Sequence, residues 1–363
     1  MRLDWVALEG FRSYEALEWH PVDGPNVLVG PNGAGKTNLV EAIAYLGVLR
    51  SVRGAPDEAL VGEGRDRAIL RGGFTTEEST VVVEIELVRR GRRRVLLDHN
   101  RPRRLADVSE RVKVVTFIPE DLDVVKRGPS HRRQVLDDAA VLLWPAAQLD
   151  LAEYERALRQ RNAFLRRRED DPVTLGVWDR RLSQAGAKVM ARRARAGELL
   201  VPETERFYRA VAGEETEVEM TYRSSWGGRL DPQVAPSEWE ELLVQALGEA
   251  RAVDLERGVT TVGPHRDEPG FTIDGRDARH QGSQGEQRAL ALALRLGLHA
   301  AVRDHTGRVP VLVLDDVFSE LDPDRSTRLA AALPRGQVFI TTAHPEEVPV
   351  AGRWWRVEGG NVA

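Results

Sequence analysis

The stretch PNVLVGPNGAGKT, from Pro25 to Thr37, constrains this chain more than any other. Asn26 to Val29 is a short apolar run suited to a buried strand, and Gly30 to Thr37 fits G-x-x-x-x-G-K-[ST], the spacing of a loop that wraps polyphosphate. Gly30, Gly33 and Gly35 allow the backbone dihedrals that aim successive N–H groups at phosphate oxygens, and a helix starting near Gly35 adds its N-terminal partial charge. Lys36 then reaches the β and γ phosphates, and the Thr37 hydroxyl ligates Mg²⁺. The expected nucleotide cradle is Gly30, Pro31, Asn32, Gly33, Ala34, Gly35, Lys36, Thr37 and Asn38. Only four of the 52 basic residues are lysine (36, 113, 126 and 188), so a lysine here is not what composition would supply.

Composition narrows the class. At 363 residues the chain can bury a large core and has room for two or three domains, and 42% hydrophobic with 30% charged residues describes a soluble globular protein. No apolar run reaches spanning length, and the N-terminus MRLDWVALEGFRSY lacks the basic, apolar and small-residue order of a signal peptide. No membrane association and a cytoplasmic location are therefore expected. Zero cysteines exclude disulfides, thiolate metal sites and thiol catalysis together. The net charge of −5 does not advertise nucleic-acid binding, which has to rest on local basic patches.

Periodicity divides the chain in three. Leu3 to Glu9 and Ala16 to Trp19 alternate as strands around a polar turn at Phe11 to Tyr14, and Asn38 to Leu49 continues as a helix with Leu39, Ala42, Ile43 and Leu46 on one face. Further strands are expected at Ala68 to Phe74, Thr80 to Arg89, Arg94 to Asp98 and Val112 to Ile118. From Pro119 to about Leu255 the pattern turns helical: Pro129 to Trp144, Ala146 to Arg168, Val173 to Ala212 with a break at Pro202, and Ser237 to Glu256, with a strand only at Glu217 to Tyr222. Strands return at Thr260 to Val262 and Phe271 to Asp274, then a helix at Gly285 to Arg303, a strand at Val309 to Leu314, a helix at Pro323 to Leu333 and a strand at Gln337 to Thr342. The expected fold is α/β: a nucleotide-binding lobe built from residues 1–118 and 256–363, split by a mostly helical second lobe at 119–255, with no long coiled coil.

Two more motifs carry chemistry. VLVLDD, Val311 to Asp316, is a buried strand ending in two carboxylates; Asp315 suits a Mg²⁺ ligand through water, and Asp316 stands where an attacking water is oriented. Ser283, Gln284, Gly285, Glu286 and Gln287 precede a helix carrying Leu290, Leu294 and Leu298. Ser283 with Glu286 reads as a capping box, and a serine with a flexible glycine at a helix start also reads as an anion site.

In order, GPNGAGKTN (30 to 38), SQGEQ (283 to 287), LDD (314 to 316), SELD (319 to 322) and TTAH (341 to 344) resemble the P-loop head of ABC-type ATPases. FRSY (11 to 14) is similar to the SMC-like branch, whose members act on DNA; PEDLDVVKRGPSHRRQVLD (119 to 137) and GPHRD (263 to 267) resemble the RecF family of bacterial recombination mediators. That resemblance implies a Mg-dependent ATPase that closes head to head on two ATP molecules, each held between one copy's phosphate loop and the other's Ser283 to Glu286. Asp322 would lie at the interface and His344 would sense the γ-phosphate. It further implies an ATP-dependent homodimer clamping gapped or double-stranded DNA by its phosphate backbone during recombinational repair, with RecR and RecO as partners. Three departures suggest slow turnover: Asp316 where many ABC-type ATPases carry Glu, Glu286 where RecF proteins often carry Gln, and no clear Gln-containing loop, Glu120 and Asp121 falling where it is expected.

The basic clusters are Arg92 to Arg94, Arg101 with Arg103 and Arg104, Lys126 to Arg133, Arg166 to Arg168, and Arg192 to Arg195. Any one of them also reads as a solvated face. Lys126, Arg127, Arg132 and Arg133 are the expected DNA contacts, and Arg132 and Arg133 are favoured because Pro129 and Ser130 start a helix just before them. The ATPase subunit of a membrane transporter shares the phosphate loop, signature and terminal histidine; FRSY, PEDL and GPHRD argue against it. A dimerisation module that barely hydrolyses ATP is the third reading.

Overall fold

The computed structural model describes residues 1–76, 79–167, 171–213, 215–229 and 231–363. In chain order the elements are β1 (Arg2–Phe11), β2 (Tyr14–Trp19), β3 (Pro25–Val29), α1 (Lys36–Val48), α2 (Asp57–Leu60), β4 (Arg67–Thr75), β5 (Thr80–Val88), β6 (Arg94–Leu97), α3 (Ala106–Arg111), β7 (Val114–Phe117), α4 (Pro129–Leu143), α5 (Ala147–Arg167) and α6 (Pro172–Ala212). They continue with β8 (Val218–Arg223), α7 (Pro236–Arg257), β9 (Glu268–Ile273), β10 (Arg276–Asp277), α8 (Gln284–Thr306), β11 (Val311–Asp315), α9 (Pro323–Ala332), β12 (Val338–Thr342), β13 (Arg353–Glu358) and β14 (Asn361–Val362).

Contacts divide the chain into two compact units, one of Met1–Asp123, Arg206–Glu215 and Arg288–Ala363, the other of Val124–Glu205 and Thr216–Gln287. The second unit thus runs past residue 255, the expected end of the helical lobe, and takes in SQGEQ, Ser283 to Gln287, the stretch that resembles the signature motif of ABC-type ATPases.

In the first unit a six-stranded sheet has the order β14-β13-β3-β12-β11-β7. Its five longer strands are parallel, and only β14 is antiparallel. β11 and β12 bury every residue, as strands covered on both faces must, which is why they read as continuous apolar runs. A second sheet, β2-β1-β4-β5-β6, is antiparallel throughout and alternates buried with partly exposed residues along β5. One core joins them: Leu3, Phe74 and Ile85 of the second sheet and Leu28, Val313 and Phe339 of the first pack in one cluster with Leu39, Ile43 and Leu46 of α1. The single apolar face expected of α1 is therefore corrected, since Val40, Ala44 and Tyr45 are buried as well. A helix enclosed by two sheets has no solvent side on which to show a polar stripe.

In the second unit Tyr154, Leu182, Met190, Trp239, Leu243 and Leu247 form the core of α5, α6 and α7, beside the antiparallel sheet β10-β9-β8. Inside it, Arg161 is fully buried between Asp179 (2.8 Å) and Asp254 (2.7 Å), a polar set that holds three helical segments in one register. Two expectations fail here. α6 does not break at Pro202 but runs on to Ala212, with buried Leu200, Phe207 and Tyr208 holding both sides of the proline and the Thr204 hydroxyl donating to the Leu200 carbonyl at 2.8 Å. Thr260 to Val262 forms no strand, because Asn162 Oδ1 accepts the Thr260 N–H (2.8 Å) and Asp254 Oδ1 accepts the Thr261 N–H (2.8 Å), so side chains take the donors a ladder needs. The helix expected to reach Arg168 is described as far as Arg167; Arg168 lies outside the described residues.

Candidate functional site

β3 ends with Val29 in register with Thr342 of β12, and the chain leaves the sheet into the glycine loop. Gly33 (φ 82) and Gly35 (φ 107) occupy the left-handed region, where glycine is at ease. Gly30 does not, which corrects the reason given for it: a Cβ there would lie 2.3 Å from the Val357 carbonyl oxygen, so glycine is needed for the close passage of β13. α1 begins at Lys36, whose Nζ donates to the carbonyls of Gly30 (2.7 Å) and Pro31 (3.0 Å). Burial lowers the Lys36 pKa, and the charges of Asp316 and Asp315 oppose that shift.

The carboxylate strand ends two strands away. Register pairs Asp315 of β11 with Thr341 of β12, so the Thr341 hydroxyl (2.6 Å) and the Thr37 hydroxyl (3.0 Å) both donate to Asp315 Oδ1. Asp315 is buried, and burial raises its pKa against those two hydrogen bonds. Asp316 turns out of the strand with φ 51, and its N–H donates to the Thr341 hydroxyl at 2.9 Å. Asn32, Gly33, Gly35, Lys36, Thr37, Asn38, Arg53, Asp316 and Thr341 line a cavity of about 240 Å³. It opens at the carboxyl ends of parallel strands, the crevice where such sheets bind ligands.

FRSY does more than turn the chain. Tyr14 is fully buried and donates to the Gly35 carbonyl at 3.0 Å, Ser13 Oγ accepts from Asn38 Nδ2 at 2.8 Å, and the Arg12 guanidinium grips buried Glu41 through both carboxylate oxygens, at 3.0 and 3.1 Å. These residues hold the phosphate loop and first helix from beneath. Tyr14, Glu41 and the cavity-lining Arg53 are the site's members that motif spacing missed; only FRSY signalled one of them.

His344 is exposed, with Nδ1 3.6 Å from Glu346, and does not line the cavity. Asp322 caps α9, accepting the Arg325 N–H at 2.9 Å. Glu120 lies 3.9 Å from the guanidinium of Arg53, whereas Asp121 is buried against Arg295 at 2.6 Å and accepts the Ile118 N–H.

In the second unit Ser283 and Glu286 form the capping box: the Ser283 N–H donates to Glu286 Oε2 (2.7 Å) and the Glu286 N–H to Ser283 Oγ (3.2 Å). Arg276 of β10 donates to the other oxygen of Glu286 at 2.9 Å. The Ser283 N–H, with Arg276 behind it, holds the Glu286 carboxyl below its usual range. Gln287 is buried and anchors the approach loop through the Ala278 (2.9 Å) and Arg279 (3.1 Å) carbonyls.

Of the four expected DNA contacts, Arg132 and Arg133 are corrected. Arg132 is 6% exposed and gives its guanidinium to the carbonyls of Pro269, Val125 and Arg127, and half-buried Arg133 donates to the Asp267 carbonyl at 2.6 Å. Only Lys126 and Arg127 of that group are exposed. The other partner in this lock is GPHRD: buried Arg193 clamps Asp137 and donates to the Pro264 carbonyl at 2.6 Å, and Asp267 accepts the Tyr222 hydroxyl at 2.9 Å. Arg192 and Arg195 lie over Trp144 at 5.6 and 5.9 Å. An isolated arginine run reads as surface, but here the guanidiniums satisfy buried carbonyls.

The first unit holds a different basic surface. Residues 89–104 contain eight arginines and one aspartate. Arg90, Arg92, Arg94, Arg101 and Arg103 are exposed, and none has a carboxylate within 4.0 Å among the described residues.

Comparison with known proteins gives the same lineage as these motifs. The RecF/RecN/SMC N terminal domain family matches residues 2–359. The DNA replication and repair protein RecF of Acidothermus cellulolyticus is 41% identical over 367 residues, covering 98% of this chain and 97% of that protein. A solved structure of the recombination mediator protein RecF-ATPrS in the RecFOR pathway superposes with a TM-score of 0.90 at 28% identity, covering 99% of this chain and 97% of that one. An Smc head bound to the C-winged helix domain of ScpA shares the fold, with a TM-score of 0.57 at 14% identity, covering 100% of this chain and 96% of that one. The transporter alternative finds no support in these relatives. With a phosphate loop, carboxylate strand and signature motif on an ABC-type head, this chain belongs to the RecF family of DNA replication and repair proteins, within the RecF and SMC-like ATPases.

Proposed function

We propose that this chain binds ATP with Mg²⁺ in the Lys36 cavity, closes head to head with a second copy around two ATP molecules, and in that state clamps DNA during the repair of gapped DNA. The observation that carries the reading is the convergence of Lys36, Thr37, Asp316 and Thr341 on one cavity, with Asp315 hydrogen-bonded to both threonines beneath it. RecF structures similar to this chain are described with ATP and with ATPrS.

In this reading Lys36 exchanges the Gly30 and Pro31 carbonyls for the β and γ phosphates, and the N–H groups of Gly30 to Asn38 surround the rest. Thr37 and Asp315 supply hard oxygen donors, and a cation beside Asp315 would favour the ionised carboxyl that burial disfavours. Among the described residues no group of three or more metal-ligating side chains exists, so Mg²⁺ would share phosphate oxygens and water, its usual preference. Held there by Thr37 and Asp315, Mg²⁺ would supply neutralisation of phosphate charge. Asp316 orients the attacking water, its short side chain making turnover slow; DNA would quicken it. Ser283, Gln284, Gly285 and Glu286 meet the nucleotide held by the second copy, with Asp322 at the interface and His344 sensing the γ-phosphate. RecR, with RecO, is the partner that receives the clamp.

The DNA surface we assign to Arg90, Arg92, Arg94, Arg101 and Arg103, none of which has a carboxylate within 4.0 Å among the described residues. Such contacts go to phosphate and carry little sequence preference. The test is sedimentation and ATP hydrolysis with and without DNA, for wild type and Lys36→Ala. Wild type should dimerise only with ATP, and Lys36→Ala should stay monomeric; an undiminished ATP-dependent dimer of Lys36→Ala would refute the site.

A further inference from the structure

The signature motif carries a charge that works against its proposed role. Glu286 stands in the first turn of α8 beside Ser283 and Gly285, which in the head-to-head reading meet the nucleotide held by the second copy. A carboxylate facing a triphosphate is repelled unless something nearby cancels it. From the geometry we infer that Arg276 is that counter-charge: a positioning residue that neutralises Glu286 and so sets how tightly one copy closes on the nucleotide of the other. This rests on the head-to-head reading above.

Three observations support it. Arg276 Nη2 lies 2.9 Å from Glu286 Oε1, while the other oxygen, Oε2, takes the Ser283 N–H at 2.7 Å, so one carboxylate serves both cap and ion pair. Arg276 is delivered by a tied loop. β10 pairs Arg276 with Ile273, Asp277 Oδ1 accepts the N–H groups of Arg279 (2.8 Å) and His280 (2.9 Å), and the Asp277 N–H donates to Gln281 Oε1 (3.0 Å). The loop is also closed sterically, since a Cβ on Gly282 would meet the Ala278 carbonyl oxygen at 2.5 Å. Arg276 thus approaches Glu286 from a fixed backbone frame. The pair is partly open to solvent, with side chains 48% and 25% exposed, so its effect is modest at one site. A two-fold dimer repeats the contact, and the two effects multiply.

The experiment measures the ATP-dependent dimer dissociation constant by sedimentation at low and high salt for wild type, Arg276→Ala, Glu286→Gln and the double variant, alongside ATP binding to each single chain. Glutamine keeps the capping box, so Glu286→Gln should fold as wild type. Arg276→Ala should weaken the dimer roughly threefold to tenfold per site, hence roughly tenfold to a hundredfold overall, less at high salt, with single-chain ATP binding unchanged. The double variant should recover to within about threefold of Glu286→Gln. A wild-type dimer unaffected by Arg276→Ala overturns the inference. So does a double variant as weak as Arg276→Ala, which would make Arg276 a direct phosphate contact. Wild type that binds ATP and remains monomeric overturns the dimer reading itself, and with it this one.

Discussion

At Asp315 the needs of folding and of the proposed Mg²⁺ site oppose each other. A buried carboxyl whose pKa is raised holds its proton more tightly in the folded chain than in the unfolded one. Its contribution to stability is therefore present at low pH and lost as pH rises through the folded pKa, so at neutral pH the charge is a cost. Asp315→Asn keeps an oxygen for the Thr37 and Thr341 hydroxyls and removes that cost. Urea unfolding without nucleotide should show a gain on the order of 1 kcal/mol at pH 7, while Mg²⁺-dependent ATP binding is lost. A less stable variant would mean that the ionised carboxylate is what the two threonines need. Half-buried His265 shows the opposite sign. The Thr260 carbonyl at 3.1 Å can only accept, so Nε2 carries the proton and Nδ1 takes the Tyr154 hydroxyl at 2.7 Å, and burial lowers the pKa to about 4 from 6.5. Stability from the neutral ring is complete above pH 6.5 and is lost as pH falls from there toward 4. Between pH 7 and 5 it should cost about 2 kcal/mol, and His265→Gln should flatten the stability profile over that range. An unchanged profile would show that His265 does not stay neutral.

Among the elements, α1 carries the tightest constraint. Enclosed by both sheets of its unit, it has no surface that tolerates growth: a Cβ on Gly47 would lie 2.6 Å from Val114 Cγ2 of β7. Alanine in place of glycine inside a helix ordinarily stabilises by about 0.5–1 kcal/mol, but overpacking costs about 1–3 kcal/mol, so Gly47→Ala should lose roughly 1–2 kcal/mol net. Urea midpoints test this, and a stabilised variant would mean that β7 gives way freely. The enclosure also explains why the helix was legible by length and start signal but not by its faces. β11 and β12, buried on both sides, could be read as strands for the same physical reason. Short elements escaped: α2, α3, β10 and β14 have too few residues for any period to show, and β13, mostly exposed, has no alternation to read.

For the molecule as a whole, charge decides the prediction. In the proposed reading a chain of net charge −5 meets DNA where arginines are exposed and free of close ion pairs, which directs attention to Arg90, Arg92 and Arg94 at and before the edge strand β6. Their joint replacement by alanine should lower the slope of log affinity against log salt by about 0.9 for each arginine that meets a phosphate, and leave ATP-dependent dimerisation intact. A slope equal to wild type would show that these arginines only guard a sheet edge. Much of this protein could be read from residue order alone. Gly30 to Thr37, VLVLDD and Ser283 to Glu286 are local: each needs only the few adjacent residues that form one loop, one strand end or one helix cap, so their chemistry is written in consecutive positions. Which arginines are surface and which are mortar was not local. Arg132 and Arg133 spend their guanidiniums on carbonyls at Pro269 and Asp267, more than 130 residues on. Tyr14 and Asp315 likewise reach the site through partners at Gly35 and Thr341. Tertiary structure alone decided these, because burial turns a charged or hydroxylated side chain into the donor or acceptor that a distant backbone or strand end lacks.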